Sequence, residues 1–396
     1  MERDVDILCL ANIDWDFNWQ AAQEVASAFA AAGHRVLFVE NTGVRPPALK
    51  DLSRLRARLH NWWRARAKTR VRNHGVDVYS PLLVPLPYSR LACRVNARAM
   101  LRAIRRWRGD GHARSLIVIT FLPTPLARRV IAALSPALVV YYAVDCLSES
   151  SPAARPLRPY EESLFREADV VFCTSDALRS FAEAMGARPE LLAHGVRFHD
   201  FQRARRHQGE SPALLNELTG PVIGFVGSIR REIDLLLVAE TARRAPDLHF
   251  VFVGPIMTDV AALTALPNVH FIAPVPHADV MRYMVRFDVG ILPYVQNAYT
   301  AHIMPAKLKE YLAAGLPVVA THLPEICRFA RRHEGVITFA HDAEELAAAL
   351  RGALAERRPS DVERRAAAAA QYDWETQIDT MRRSIENALH ARAARR

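Results

Sequence analysis

The stretch Met304–Thr321, MPAKLKEYLAAGLPVVAT, reads as a short helix running into a buried strand. Pro305 suits the first turn of a helix, where its missing N–H costs nothing. Gly315 suits the position just past the last turn, where a left-handed residue ends the helix. LPVVAT then has the apolar, β-branched character of a strand covered on both faces, as in a parallel sheet. Two charged residues, Lys307 and Glu310, stand one helical turn apart on this helix. They admit two readings, a solvated i,i+3 ion pair or a binding site at the helix N-terminus.

The same alternation extends in both directions. Towards the N-terminus lie the apolar runs PVIGFVGS, LHFVFVGP, NVHFIAP and DVGILPY, separated by the helical patterns EIDLLLVAETARRAP and HADVMRYMVRF. This is βαβ repetition, and it predicts a doubly wound parallel sheet of about six strands. The stretch Arg197–Gly220 is polar and basic without apolar periodicity, and reads as an interdomain linker. Before it, VDILCLA, HRVLFVEN, SLIVITF, ALVVYYAV and DVVFCTS repeat the strand pattern between helices such as NWQAAQEVASAFAAAG. The fold class is α/β, with two Rossmann-like domains expected at residues 1–203 and 204–396. Ligands of such folds bind beyond the carboxyl ends of the strands, so a central cleft between the domains is expected. The chain ends in an Ala/Arg-rich helical region, Asp361–Arg396, interrupted near YDWE.

Composition narrows the class. The chain has 396 residues, of which 51% are hydrophobic and 24% charged, a globular balance long enough for two domains. No apolar run reaches about eighteen residues, so no transmembrane helix is expected. The opening residues MERDVDILCLANID carry no signal-peptide pattern, and the five cysteines are scattered without a C-x-x-C, so a reducing, cytoplasmic setting without structural zinc is expected. The net charge of +10 is uneven: Arg45–Arg72 holds ten basic residues against one acid, together with Trp62 and Trp63. A second run, Arg90–Arg114, includes Arg94, Arg98, Arg102, Arg105, Arg106 and Arg108. Basic helices interleaved with Trp and Leu suit an anionic membrane surface, and no nucleic-acid signature accompanies them. A solvated face is the simpler alternative.

Several chemistries are disfavoured by spacing. The turn after the first strand, LANIDWDFNWQ, has no glycine, and GFVGSIRRE has the wrong glycine spacing for a dinucleotide fingerprint or a P-loop. Asp14 and Asp16 could form a metal pair, but in that loop an acceptor-facing or structural role fits better. The helix N-terminus near Met304 offers free N–H groups to an anion. Lys307 adds a point charge suited to phosphate, and Glu310 can accept two hydroxyl hydrogen bonds, as from a ribose diol. In line, these features describe a nucleoside diphosphate site.

DVGILPYVQNAYTAHIMPAKLKEYLAAGLPVVAT resembles the donor-binding region of retaining glycosyltransferases with the GT-B fold. It is most similar to the bacterial surface-polysaccharide branch that includes teichuronic acid transferases. Their P-x-K-L-x-E-Y-L-A-x-G-x-P-V-V signature is met by Pro305, Lys307, Leu308, Glu310, Tyr311, Leu312, Ala313, Gly315, Pro317, Val318 and Val319. The likeness extends through WQAAQEVASAFAAAGHRVLFVEN, through VYYAVDCLSES and EESLFREADVVFCTSDALR, through HGVRFHDF where the family has N-G-V-D, and through GFVGSIRREIDLLLV to YDWE. The resemblance implies transfer of a sugar, with retention, from a nucleotide diphospho-sugar to a lipid-linked or other glycan acceptor at the cytoplasmic face of the bacterial membrane. It also implies a terminal helix, about 375–396, that crosses back to the first domain.

The resemblance implies a catalytic set of Lys307, Asp145 and His302. Donor contacts would come from Glu310, Lys307, Gly227, Ser228, Arg230 or Arg231, the backbone near Val275, Tyr299 and Thr300. Asp14 and Asn18 would lie on the acceptor side. No metal or other cofactor is expected, and no nucleic-acid partner. The chain departs from the broader family at His302, where an E-x7-E pattern has its first Glu, at Ser228 in place of a basic residue, and at Val144 in place of a histidine beside Asp145. Read on their own, Asp145 equally suits a helix cap, His302 a surface loop, His194–Gly195 a turn, and Asp14, Asn18 and Gln20 the capping of the first helix. Two other functions remain open: a nucleotide-sugar epimerase of the same fold, and a non-catalytic sugar-nucleotide-binding partner.

Overall fold

A computed structural model describes residues 5–40, 42, 70–71, 74–109, 114–206, 212–356 and 358–394. The basic residues from Arg45 to Lys68, with Trp62 and Trp63, lie outside the described residues. The chain divides into two compact units, Met1–Ala193 with Ile378–Arg396, and His194–Gln377.

In the first unit, the strands are β1 (Val5–Leu10), β2 (Arg35–Val39), β3 (Arg70–Val71), β4 (Asp77–Tyr79), β5 (Ser115–Thr120), β6 (Leu138–Ala143), β7 (Val170–Cys173) and β8 (Glu190–Leu191). Among the described residues they form one sheet in the order β3-β4-β2-β1-β5-β6-β7-β8. All neighbours are parallel except β3, which runs antiparallel on β4. The strand order reverses at β1, so the loop Ala11–Gln20 leaves the sheet at its switch point. β1 is buried along its whole length even though it contains Asp6, which is paired with Arg108 at 3.4 Å and Arg35 at 3.6 Å. On the C-terminal segment of this unit, Arg382 donates to the carbonyl of Ala28 (3.1 Å) and Arg392 pairs with Asp169 (2.9 Å).

The second unit holds β9 (Val222–Val226), β10 (His249–Val253), β11 (Val269–Ile272), β12 (Val289–Leu292), β13 (Val318–Ala320) and β14 (Ile337–Phe339). Their order is β11-β10-β9-β12-β13-β14, parallel throughout. Here the order reverses at β9. The helices on its faces begin where short polar side chains offer caps: Asp234 accepts from the amide of Leu237 (2.9 Å), and Asp342 from those of Glu344 and Glu345 (both 2.9 Å).

Two sequence expectations need correction. The stretch after Arg197 is no bare linker: Phe198–Arg206 and Ala213–Glu217 are helices of the second unit. The first buries only Phe201, with Phe198 partly buried beside it, so its apolar stripe is too narrow to show periodicity. A division after residue 203 would cut this helix, and the units part instead after Ala193. Pro305 is the N-cap of its helix rather than a first-turn residue. The short strands β3, β4, β8 and β14 carry too few residues for their pattern to stand out in the sequence.

All five cysteines are unpaired thiols. Among the described residues no helix is long and apolar enough to cross a membrane.

Close packing under β9 depends on Gly224. A Cβ there would fall 1.9 Å from Cδ2 of Phe287, a ring that is itself buried. Gly224→Ala should therefore destabilise the protein by about 1–3 kcal/mol or more through overpacking, read as a lower urea midpoint with the slope retained.

Candidate functional site

The carboxyl end of β9 and the start of the helix Ala306–Ala313 meet at Gly227. Gly227 adopts φ +121°, and a Cβ there would lie 2.5 Å from Cε and 2.8 Å from Nζ of Lys307. The Lys307 stem thus lies directly on the glycine's backbone, in space that any other residue would fill. Gly254, at the end of β10 with φ +140°, makes the same allowance for the carbonyl of Gly227, 2.4 Å from where its Cβ would stand. The Gly227 amide donates to Val253 O at 2.8 Å, which holds the two strand ends together. The Lys307 ammonium sits 5.1 Å from the centre of the Phe225 ring, a cation–π distance.

The helix carries no side-chain N-cap. An eight-residue helix that starts on Pro305 without such a cap presents its first amides to whatever occupies the end of the sheet. Its other end is closed by Gly315 in the left-handed conformation (φ +77°), with the Leu316 amide donating to Tyr311 O and that of Gly315 to Leu312 O, both at 2.9 Å. Glu310 stands partly buried one turn beyond Lys307.

The remaining donor-side residues take different positions. Ser228 is partly buried and Arg230 exposed in the turn after β9, while Arg231 pairs with its neighbour Glu232 at 3.0 Å. Val275 packs at the edge of the unit's core, after β11. Thr300 is fully buried: its hydroxyl donates to Val295 O (2.7 Å) and accepts from the Asn297 amide (2.9 Å). This threonine ties the loop before the helix together, so its side chain acts on the loop rather than on a ligand. Tyr299 beside it is partly buried. His302 bonds through Nδ1 to the carbonyl of Ala298 (2.9 Å), so in the neutral ring Nδ1 carries the proton.

Asp14, Asn18 and Asp145 belong to the first unit. The loop after β1 is held by the buried Gln23, whose amide donates to the carbonyls of Asp14 (3.4 Å), Trp15 (3.4 Å) and Asn18 (3.0 Å). The first helix is capped by Gln20 and Gln23 together, and Asp14 and Asn18 contribute carbonyls to Gln23. Asp145 follows β6, and the cap position of the short 3-10 turn Leu147–Glu149 is Cys146, with no side-chain cap bond. That turn is held by Glu161, which is fully buried and accepts from the amides of Leu147 (3.0 Å) and Ser148 (3.4 Å). Burial raises the Glu161 carboxyl above its usual range, against the lowering effect of these bonds. Among the described residues no group of three or more His, Cys, Asp or Glu could hold a metal ion.

Two further residues stand out here, Lys309, for which the sequence suggests no role, and His194, expected only in a turn. Lys309 is buried, and burial pulls its amine from the ordinary 10.5 down to about 7, with Glu325 opposing the shift. His194 is partly buried, and burial with the charges of Lys309 and Lys307 pulls it down to about 3, so it is neutral throughout the physiological range. His194 and Gly195 lie in irregular backbone rather than a turn, and Gly195 sits against the Trp374 ring, where a Cβ would fall 2.3 Å away. A lysine in an otherwise apolar register of a helix was the available signal for Lys309.

The buried amine has a consequence for stability. With a folded-state pKa of about 7 against 10.5 unfolded, the unfolded chain binds more protons across that window, so stability rises with pH from about 7 upward. Lys309→Met should unfold at higher denaturant than wild type at neutral pH, and should lack the wild-type gain between roughly pH 7 and 10. Urea titrations across that range test both.

Residues 19–196 match the model of the glycosyl transferase 4-like domain, and residues 220–356 that of glycosyl transferases group 1. Over 176 residues the chain is 35% identical to the glycosyltransferase TuaH of Bacillus subtilis (strain 168), which is ascribed to teichuronic acid biosynthesis. That match spans 42% of this chain and 44% of the relative. Among solved structures, sucrose-phosphate synthase from Thermosynechococcus elongatus is similar with a TM-score of 0.72 at 15% identity, covering 98% of this chain and 100% of that one. Anabaena HepE in complex with UDP-glucose is similar with a TM-score of 0.67 at 15% identity, covering 96% and 99%.

Proposed function

We infer that this chain, which belongs to the group 1 glycosyltransferases of GT-B fold, moves a sugar from a nucleoside diphosphate to a glycan acceptor in bacterial surface-polysaccharide assembly. The observation that carries this reading is the seat of Lys307 on Gly227, beside a helix N-terminus without a side-chain cap. The diphosphate lies against the backbone of Gly227 and Ser228, with its charge met by Lys307, the helix amides and Arg230. Glu310 accepts from the ribose hydroxyls, and the backbone near Val275 faces the base. Tyr299 flanks the donor, and Thr300 holds the loop that carries Tyr299 and His302. His302 addresses the donor sugar, and Asp145 with Asp14 and Asn18 addresses the acceptor. The bond from the anomeric carbon to the diphosphate oxygen breaks, the bond to an acceptor hydroxyl forms, and configuration is retained. As the diphosphate departs its charge grows, and fixed positive groups lower the barrier without a metal. The similarity to HepE, solved with UDP-glucose, supports a nucleotide-sugar donor.

The two charged residues should differ in kind when removed. Glu310→Ala loses bonds made equally in the ground and transition states, worth about 1.5–3 kcal/mol, so nucleotide affinity should fall roughly tenfold or more. Lys307→Ala should also lower turnover, by roughly a hundredfold, because it meets charge that develops in the reaction. Turnover should withstand EDTA. Calorimetry with UDP and GDP, then transfer assays, decide the matter; unchanged affinity in Glu310→Ala with normal turnover in Lys307→Ala would remove this site. Donor consumption without a glycan product would favour an epimerase, and binding without turnover a non-catalytic partner.

The acceptor reading is lipid-linked, at the inner face of the cytoplasmic membrane. The helix Arg90–Arg108 supports it, because Arg94, Arg98, Arg102, Arg105 and Arg106 are exposed together with Leu91 (71%) and Val95 (46%). Leu82, Val84 and Leu86 are exposed just before it. Arg108 is turned inward on Asp6 and takes no part. Binding to anionic liposomes should weaken with salt and drop when Arg94, Arg98 and Arg102 become Gln, whereas binding that ignores both changes would leave only a solvated face.

A further inference from the structure

The helix that bears Lys307 and Glu310 holds a third charged residue that the donor reading does not use. Lys309 is 1% exposed, its Nζ lies 4.7 Å over the Tyr372 ring, and that amine has no hydrogen-bond partner among the described residues. A buried polar atom left without a partner calls for a physical explanation. The charges around it explain its state. Glu325 on the helix Pro324–Arg332 is the nearby acid, and Arg328 already takes its carboxylate. Tyr372 meets Nε2 of His333 at 3.3 Å through its hydroxyl. His194 and Lys307 add one neutral base and one further cation to the same neighbourhood. At the far end of the helix, Arg205 and Arg365 crowd Gly315, the latter donating to its carbonyl at 2.9 Å. A second ammonium here has no anion of its own.

We propose that Lys309 is a reserve cation of the donor site: buried over Tyr372 without a hydrogen-bond partner, its amine takes up a proton when a diphosphate binds at Lys307, and so adds a second positive charge against the ligand. The proposal rests on the reading of this helix end as a diphosphate site. Its physical basis is electrostatic. At an effective dielectric near 20, one negative charge within about 10 Å changes proton affinity by roughly tenfold, and a diphosphate brings more than one. The amine stands near neutrality before the ligand arrives, so a shift of that size converts it from mostly free base to mostly ammonium at about pH 8. His194 lies too far below neutrality to serve as the acceptor.

The test is calorimetry of UDP, GDP, ADP and dTDP binding at about pH 8, repeated in phosphate, HEPES and Tris, whose heats of ionisation differ. At that pH a terminal phosphate, with a second pKa of about 6, is already ionised, and any shift in it on binding a cation would release protons, the opposite sign. Wild type should take up roughly half a proton or more, and its affinity should fall several-fold between about pH 7 and 9. Lys309→Met should lose both effects and bind more weakly at neutral pH. Wild-type binding without proton uptake, or uptake that persists in Lys309→Met, would overturn the proposal while leaving the donor site intact. If none of the nucleotides binds wild type, the donor site itself is wrong, and the proposal falls with it.

Discussion

The amide of Val226 donates to the hydroxyl of Tyr311 across 2.9 Å, fully buried, and the second unit's site depends on that bond. β12 pairs with β9 only at Ile223 and Gly224, so towards its carboxyl end β9 runs past its neighbour. A buried amide there needs an acceptor, and the phenol oxygen takes the place of a strand. This fixes the helix Ala306–Ala313 against the last residue of β9. Lys307 stands four residues before Tyr311 and therefore shares its face of the helix. It is delivered to the next backbone position, Gly227. The contact between lysine stem and glycine is a consequence of the tyrosine bond, which explains why a tyrosine belongs in the same short signature as the lysine.

The two lysines of this helix show how little separates a surface charge from a buried base. Lys307 keeps part of its side chain in solvent and rests its ammonium on the Phe225 ring. Lys309, two residues on, points to a different face, where it is buried over the Tyr372 ring. Both are aromatic contacts of similar length, 5.1 and 4.7 Å. Desolvation, not the ring, sets the difference, since an aromatic face offsets only part of the cost of burying a charge.

The signature around Lys307 was legible because helix-end chemistry, a phosphate-suited cation and a buried strand fall within eighteen residues. The long apolar strands were legible for the same reason: each is buried on both faces and shows it in composition. What escaped reading was set by tertiary contact. The helix Phe198–Arg206 rests on the core through Phe201 and Phe198 alone, and is tied down by Gln202, which donates to the carbonyl of Ala313 (3.0 Å). Thr300 looked like a ligand contact and serves its own loop, because a hydroxyl finds a nearby carbonyl as readily as a distant ligand. The cap of the first helix combines Gln20, which was among the residues expected there, with Gln23, which was not and whose side chain is less favoured for that task than Asp or Asn.

Arg365 bears on where this unit can be cut. Its side chain is buried, and its guanidinium donates to the carbonyls of Gly315 (2.9 Å) and Glu356 (2.8 Å), closing the helix of Lys307 from a distance of fifty residues. Further on, Val196 and the Tyr372–Trp374 segment exchange backbone bonds of 2.9 and 3.1 Å. The group 1 match ends at residue 356, before either contact is made. Recognisable pattern and self-sufficient fold therefore have different extents here. A fragment trimmed to the matched segment would keep every residue of the signature and lose the clamp that holds its glycine, so excision for expression or grafting has to reach Trp374.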